Sequence, residues 1–515
     1  MSTLPHIQTI VMLMLENRSL DMMLGWLHRD GLAVNLIPSD SHPPHFDGIP
    51  ADAVNYRSSW PGEPKQAWRP TEGFAFLGDQ QWRAPRWDPN EGMGNVRIQM
   101  YGDQDGIIGD RAWGDEAPMQ GFAWDFPAMN PTAIGEVMGG YTEAEIPVLY
   151  GLAKHFAVSD RWFSPVPTET YPNRAFSLCG TSGGVENDLP IDQIFDQDTI
   201  FNGLCHQHVG PNSAKEWAIY WQTNENAIGR KPGQHGLTET RFSGVQRALV
   251  DSAGKGSVRP FDSLLEALRA GEDIPEFCYI EPWWGGGIGF PYGDDFVGFQ
   301  GNDYHAPGWI GPAEYDLNEL YEALIHSKQW PDMLFVITFD EHGGCWDHVS
   351  PPAAANPDGI NGASGFGFDR MGPRVPAILV SPYVEPRTVF RPPSSSVAAF
   401  DHTSIVKTVL RWAGTDESCI AGMGKRVEEA PMFDAALTAK RSTVDPPHFT
   451  VPDHYRTQGG KKGYHHLPKW AEELSIDDHR IAMSGASQTE GGLTVAGYLS
   501  ALEHRASVRR EPQRE

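Results

Sequence analysis

The stretch that decides the fold is Met333–Pro352, MLFVITFDEHGGCWDHVSPP. Its first seven residues, Met333–Phe339, form an unbroken apolar run of strand length. A half-exposed strand alternates polar and apolar residues, so a continuous run predicts a strand covered on both faces, as in a parallel sheet flanked by helices. At its carboxyl end stand Asp340 and Glu341, then His342, the pair Gly343–Gly344, Asp347 and His348. Open α/β sheets place ligands at the carboxyl ends of their strands. Adjacent carboxylates repel unless a cation or a proton lies between them. Turn chemistry accounts for the glycines, but not for so many oxygen and nitrogen donors around them.

Working outward, Ile10–Leu15 (IVMLML) is a second buried-strand candidate, and it runs directly into Glu16 and Asn17. Leu20, Met23, Leu24 and Leu27 then recur at helical spacing, which completes the first half of a βαβ unit. A carboxylate and an amide oxygen at a strand exit are hard donors suited to a divalent cation. The competing reading makes Asn17 or Ser19 the helix cap and Glu16 an ordinary acid beside it. A second acidic exit at Asp340–Glu341 favours the ligand reading. Further strands are expected at Trp217–Trp221, Phe277–Ile280 and Ala377–Val380, and another ends near Ser159–Asp160. Helices are expected around Leu264–Leu268 and along the stripe Leu317, Leu320, Tyr321, Leu324 and Ile325.

The chain has 515 residues, a formal net charge of −27 and five cysteines, Cys179, Cys205, Cys278, Cys345 and Cys419. Its length accommodates one large α/β domain with insertions. The charge argues against nucleic acid as a standing partner. Scattered cysteines, odd in number, form neither a disulfide framework nor a paired metal motif, which favours a reducing compartment. Ile10–Leu15 is too short for a signal segment or a membrane span, so a cytoplasmic location without stable membrane insertion is expected. Residues 40–140 are rich in proline, glycine and tryptophan and lack periodicity; they read as a loop-rich insertion covering the site edge. Beyond residue 440 a polar extension carries His465–His466, a helical pattern at Leu493–Leu502 and a charged tail from Arg505 expected to be disordered.

The nucleophile candidate lies in SPVPTETYPNRAFSLCGTSGG, Ser164–Gly184. Pro172 suits the first turn of a helix and Gly180 its end, which places Thr170 at the helix amino terminus. Phosphate is the natural guest of such a terminus. A hydroxyl held there beside a metal is poised to attack phosphorus. On propensity alone, Thr168, Glu169 and Thr170 compete to be a mere N-cap. Two later stretches carry weaker signals. Glu281–Pro291 (EPWWGGGIGFP) reads as a glycine-rich loop reaching over the site with Trp283 and Trp284, and Asp401 reads as the N-cap of the helix through Leu410.

Four stretches in order resemble a known family. They are Met14–Gly25 (MLENRSLDMMLG), Thr170–Gly184, Asn302–Gly311 (NDYHAPGWIG) followed by Trp330–Pro352, and Gly372–Val384 with DHTSIVKTVLRW at Asp401–Trp412. Together they resemble the phosphoesterases that include bacterial and plant non-specific phospholipases C and acid phosphatase A-type enzymes, within the alkaline phosphatase superfamily. The resemblance implies an α/β fold with a large, mostly parallel central sheet between helices. It implies one phosphoesterase domain over 1–440 and an extension over 441–515. By resemblance, Thr170 is the nucleophile of a covalent phosphoryl-enzyme. Glu16, Asn17, Asp340, Glu341 and Thr170 bind one divalent metal, for which calcium, magnesium, manganese and zinc all suit the donors. His305 and His348 contact phosphate or serve the leaving group, and Arg174 touches phosphate or braces the loop.

This sequence departs from the family pattern in three places. No histidine stands in the 95–125 region upstream of the nucleophile, Tyr304 replaces an acid in NDYHAP, and Cys345 stands where an aromatic commonly follows DEHGG. The resemblance implies hydrolysis of phosphodiesters, phospholipid headgroup release first among them. The alternatives are an acid phosphatase acting on monoesters and a non-catalytic relative that binds a phosphorylated ligand. A sulfatase is excluded by one atom, since formylglycine is made from cysteine or serine and not from threonine.

Overall fold

The computed structural model describes residues 4, 6–58, 64–127, 131–188, 193–205, 215–222, 236–284, 289–292, 295–298 and 301–457. The expectations for His465–His466, Leu493–Leu502 and the tail from Arg505 lie outside the described residues, as does Trp60. A nine-stranded sheet organises the chain. Its strands are β1 (Thr9–Leu15), β2 (Asn35–Ile37), β3 (Ala157–Ser159), β4 (Trp217–Trp221), β5 (Gly256–Pro260), β6 (Phe277–Glu281), β7 (Met333–Phe339), β8 (Ala377–Val380) and β9 (Thr388–Phe390). They lie in the order β2-β9-β3-β8-β7-β1-β6-β4-β5. β1 and β7 pair in parallel from Thr9 with Met333 to Leu15 with Phe339, and every residue of both is buried. This register brings the two acidic exits side by side, because Leu15 and Phe339 end the ladder together.

β8 runs antiparallel to both of its neighbours, so the sheet is mixed although mostly parallel. β2, β5 and β9 were not expected. They are short or half-exposed, and their sequences carry no continuous apolar run.

Six helices frame the site. They are α1 (Leu20–Leu24), α2 (Met93–Tyr101), α3 (Pro147–His155), α4 (Thr170–Cys179), α5 (Gly311–Ile325) and α6 (Thr403–Ala413). α1 is shorter than its spacing predicts: the stripe continues to Leu27, which is buried, but the helix ends at Leu24 with Gly25 as its cap. α4 ends as expected, at Gly180 in the left-handed conformation (φ 76°). α6 differs from expectation at its start. His402 occupies the cap position, while Asp401 Oδ1 accepts the Thr403 amide at 2.8 Å and Oδ2 accepts from Arg426 at 3.1 Å.

The insertion is loop-rich yet ordered. It holds a two-stranded ladder, Asn55–Ser58 with Lys65–Trp68, the helix α2, and an apolar cluster of its own around Val96, Met100, Phe122 and Met138. Trp68, Trp87 and Trp113 pack against that cluster, as expected of tryptophans in an insertion. The glycine-rich stretch after β6 is a loop only in part, because Gly289–Tyr292 pairs with Asp295–Gly298; residues 285–288 lie outside the described residues.

Candidate active site

The exits of β1 and β7 are bound to each other residue by residue. Asp340 N donates to Leu15 O, Arg18 N to Glu341 O, and Asn17 N to Asp340 Oδ1, each at 3.1 Å. A side chain at Gly343 is impossible, since its Cβ would collide with the Asn17 carbonyl; the residue also has φ 61°. Capping of α1 falls to Ser19, whose hydroxyl accepts from Met22 N at 3.2 Å. Asn17 is therefore spared that duty and turns, with φ 58°, toward α4.

Thr170 opens α4 and is buried. Its Oγ1 stands 3.4 Å from Asn17 Oδ1. The competing cap readings fail, because the Thr168 hydroxyl donates to Glu186 O and Glu169 at the cap position makes no side-chain cap bond. Arg174, one turn along α4, braces the two exits. Its Nε donates to Asp340 Oδ2 at 3.2 Å, and its Nη2 reaches Met14 O and Leu15 O at 3.2 Å and Glu16 Oε1 at 3.4 Å. Trp284 covers the guanidinium at 4.2 Å, so the tryptophan loop does reach over this edge. Arg174 Nη1 is buried with no hydrogen-bond partner among the described residues.

His305 joins the same cluster. Its Nδ1 lies 3.2 Å from Glu16 Oε2, and its Nε2 lies 3.2 Å from Asp88 Oδ1, 3.1 Å from Glu91 Oε1 and 3.2 Å from Asn17 Nδ2. Asp88 and Glu91 belong to the insertion and were missed from sequence. Their only signal was a pair of acids in the run WDPNE, which reads as an ordinary turn. His402 was also missed as a support: its Nε2 donates to the Asp340 carbonyl at 2.7 Å, and its Nδ1 accepts from Trp162 Nε1 at 3.2 Å.

His348 is placed elsewhere. Its Nδ1 meets Asp21 Oδ2 at 2.6 Å and its Nε2 lies 3.5 Å from Asp47 Oδ1. Arg374 bridges this second cluster, from Nε to Asp347 Oδ1 at 2.9 Å and from Nη2 to Asp21 Oδ1 at 3.0 Å. The structure thus gathers Glu16, Asn17, Thr170, Arg174, His305, Asp340 and Glu341, and sets His348 apart.

Charge is unevenly balanced in the first cluster. Burial, and then the charge of Asp340, push Glu16 up to about 8. Burial raises Asp340 as well, against the pull of Arg174. Burial, then Glu91 and Asp340, hold Glu341 well above the usual carboxylate range. Buried carboxylates in this condition take up a proton or a compensating cation. Glu341 Oε2 accepts the Gly343 amide at 2.7 Å, while Oε1 is buried with no partner among the described residues. Three carboxylates, an amide oxygen and a hydroxyl, with one carboxylate oxygen left over, fit a hard divalent cation.

The model of the phosphoesterase family matches residues 7–413. This chain belongs to the phosphoesterase family. Non-specific phospholipase C1 of Arabidopsis thaliana is 30% identical to it over 450 residues, 83% of this chain and 72% of that protein. Non-specific phospholipase C3 of the same plant is 30% identical over 468 residues, 88% and 77% of the two chains. Phospholipase C A of Mycobacterium tuberculosis is 26% identical over 315 residues, 55% and 54%. Among solved structures, an alkaline phosphatase superfamily protein from Vibrio parahaemolyticus is similar over 70% of this chain and 80% of that one, at 13% identity and a TM-score of 0.29. That distant likeness decides nothing about chemistry. The family and these relatives make this phosphoesterase a hydrolase acting on phosphoric ester bonds. No helix among the described residues is long and apolar enough to cross a membrane.

Proposed function

We propose that this phosphoesterase cleaves phosphodiesters, phospholipid headgroups foremost, through a covalent intermediate on Thr170. The carrying observation is Thr170 Oγ1 at the amino terminus of α4, 3.4 Å from Asn17 Oδ1, where the two acidic strand exits meet. The relatives named non-specific phospholipase C support the substrate class. Glu16, Asn17, Asp340, Glu341 and Thr170 would hold the divalent cation. When bound, it would lower the pKa of the threonine hydroxyl and neutralise phosphate charge.

Thr170 Oγ1 attacks phosphorus, its proton passing to water. The bond from phosphorus to the diacylglycerol oxygen breaks, and that oxygen takes a proton from water. A second water then attacks phosphorus, the bond to Oγ1 breaks, and the phosphorylated headgroup leaves. Arg174 keeps Glu16 and Asp340 in register with α4 throughout. His305 and His348 both turn their ring nitrogens toward carboxylates, so their part is to order the site.

A reducing compartment such as the cytoplasm belongs to this proposal, on the odd number and scattered spacing of the five cysteines in the sequence. The test is product release from phosphatidylcholine vesicles, a water-soluble diester and a simple phosphomonoester, with and without chelator. Diester turnover abolished by chelator is expected. Monoester turnover far above both diesters would make the enzyme an acid phosphatase, and no turnover of any of them would favour a non-catalytic phospho-ligand-binding relative.

A further inference from the structure

We infer that His402 is a positioning residue: it makes the chain turn at Asp340 and so fixes the direction of the Asp340 and Glu341 carboxylates, an inference that rests on the cation site proposed above. His402 stands at the cap position of α6 but makes no side-chain cap bond, and it is fully buried. Its Nε2 lies 2.7 Å from the Asp340 carbonyl oxygen, and its Nδ1 lies 3.2 Å from Trp162 Nε1. A carbonyl only accepts and an indole N–H only donates, so Nε2 carries the hydrogen and Nδ1 the lone pair.

The Asp340 carbonyl needs that donor because, among the described residues, the sheet offers it none. On the β1 side the N–H of Asn17 goes to the Asp340 side chain, at Oδ1 and 3.1 Å. On the β8 side the ladder ends at Thr338 with Ala377. Of the residues just beyond, Pro376 has no N–H and Val375 N donates to Trp162 O at 3.0 Å. A buried carbonyl left without a donor is costly. His402 supplies the missing hydrogen bond from 62 residues along the chain.

Capture of this carbonyl is what turns the chain. A regular strand directs both main-chain groups of a residue to one neighbour. Asp340 instead keeps its N–H on β1, at Leu15 O, and gives its carbonyl to α6; the Glu341 carbonyl then comes back to Arg18 N at 3.1 Å. With the chain turned, Asp340 Oδ1 accepts both Asn17 N and Glu341 N, the second at 2.7 Å, and Oδ2 accepts Arg174 Nε at 3.2 Å. Trp162 holds the ring from behind. Its indole stacks on Phe400 with centroids 5.5 Å apart, and Phe163 N donates to Phe400 O at 2.9 Å, which fastens this segment to the start of α6. Outer hydrogen bonds of this kind orient the residues that ligate a metal.

The experiment strips the full chain with chelator and titrates it with manganese by calorimetry, for the wild type, His402→Gln and His402→Asn, with diester turnover read alongside. Glutamine places its amide nitrogen near the position of Nε2 and still donates to Asp340. Asparagine places its amide oxygen near Nδ1 and keeps only the Trp162 bond. His402→Asn should bind manganese about 10- to 100-fold more weakly, with a fall in kcat, and His402→Gln should recover most of both. Wild-type affinity and turnover in His402→Asn, with only its melting temperature lowered, would overturn the inference and leave the cation site standing; so would equal losses in the two variants. If the wild type binds no manganese, the cation reading fails and turnover decides: a loss in His402→Asn that His402→Gln recovers supports the positioning role, and no such difference overturns it. Should the variants not fold, the ring ¹⁵N spectrum of wild-type His402 decides. A hydrogen on Nε2 whose signal moves when the stripped protein takes up magnesium supports the inference, and an unmoved signal or a hydrogen on Nδ1 alone overturns it.

Discussion

The exits of β1 and β7 build two charged clusters that behave in opposite ways. Around Arg374, carboxylates and cation are matched bond for bond. Burial opposes the charge of Asp21, yet His348 and Arg374 hold its carboxyl below the usual range. Asp347, with Arg374 as its cationic partner, is raised by burial to about 6. Around Thr170, burial and mutual repulsion raise Glu16, Asp340 and Glu341 together, and among the described residues an oxygen and a guanidinium nitrogen are left without partners. A satisfied cluster is a brace; an unsatisfied one beside a hydroxyl at a helix terminus is built to receive something. The same sheet edge supplies both, and its chemistry lies where the charges do not cancel.

The largest effect that tests this contrast is on turnover. Thr170→Ala should fold normally and lose about 10³-fold or more in kcat/KM, while Thr170→Ser keeps measurable activity. Equal losses in both variants would reduce Thr170 to a packing role. The second effect is on stability. Arg374→Met leaves Asp21 and Asp347 buried without their cation, and should cost about 3–5 kcal/mol in urea unfolding with or without metal. If that variant is as stable as the wild type, the brace reading fails.

Glu341→Gln probes the unsatisfied side. In chelator it should be no less stable than the wild type, because it removes a crowded charge. Adding metal at 100 times its Kd should stabilise the wild type by about 2.7 kcal/mol and the variant far less. Matching metal-induced shifts in melting temperature would remove Glu341 from the ligand set.

The smallest effect is a slope with pH. Burial disfavours a charged His348, yet Asp21 and Asp47 raise it from 6.5 to about 9. Its contribution to stability is therefore complete below about pH 6.5 and lost as pH rises through about 9. Asp21, lowered, contributes above about pH 4 and loses its contribution as pH falls through its folded value. His348→Gln should flatten the decline between pH 6.5 and 9, and an unchanged slope would show that His348 is not charged in the folded state.

Much of this was legible in sequence, for identifiable reasons. Continuous apolar runs mark β1 and β7, and the acids following each run mark the exits. Pro172 and Gly180 bracket α4 and so place Thr170. Asp88 and Glu91 were not legible, because a two-acid run among prolines and glycines has no period, and its meaning depends on His305, more than 200 residues away. The pairing of Arg374 with Asp21 and Asp347 is equally non-local and left no local trace. The antiparallel direction of β8 was hidden too, since its residues AILV read alike either way. The resemblance gave His305 and His348 one kind of role without saying what holds them; the structure gives His348 its own partner, Asp21 on α1, which binds it by side chain and main chain alike.

The central claim is that Thr170 carries the phosphoryl group. Turnover of a diester should be quenched in acid during the steady state, the protein digested, and the peptide spanning Ser164–Cys179 analysed by mass spectrometry. The account predicts a phosphoryl group on Thr170 that is present only with substrate and metal and absent from Thr170→Ala. Full diester turnover with no phosphorylated peptide, or with the phosphoryl group on another residue, would contradict it.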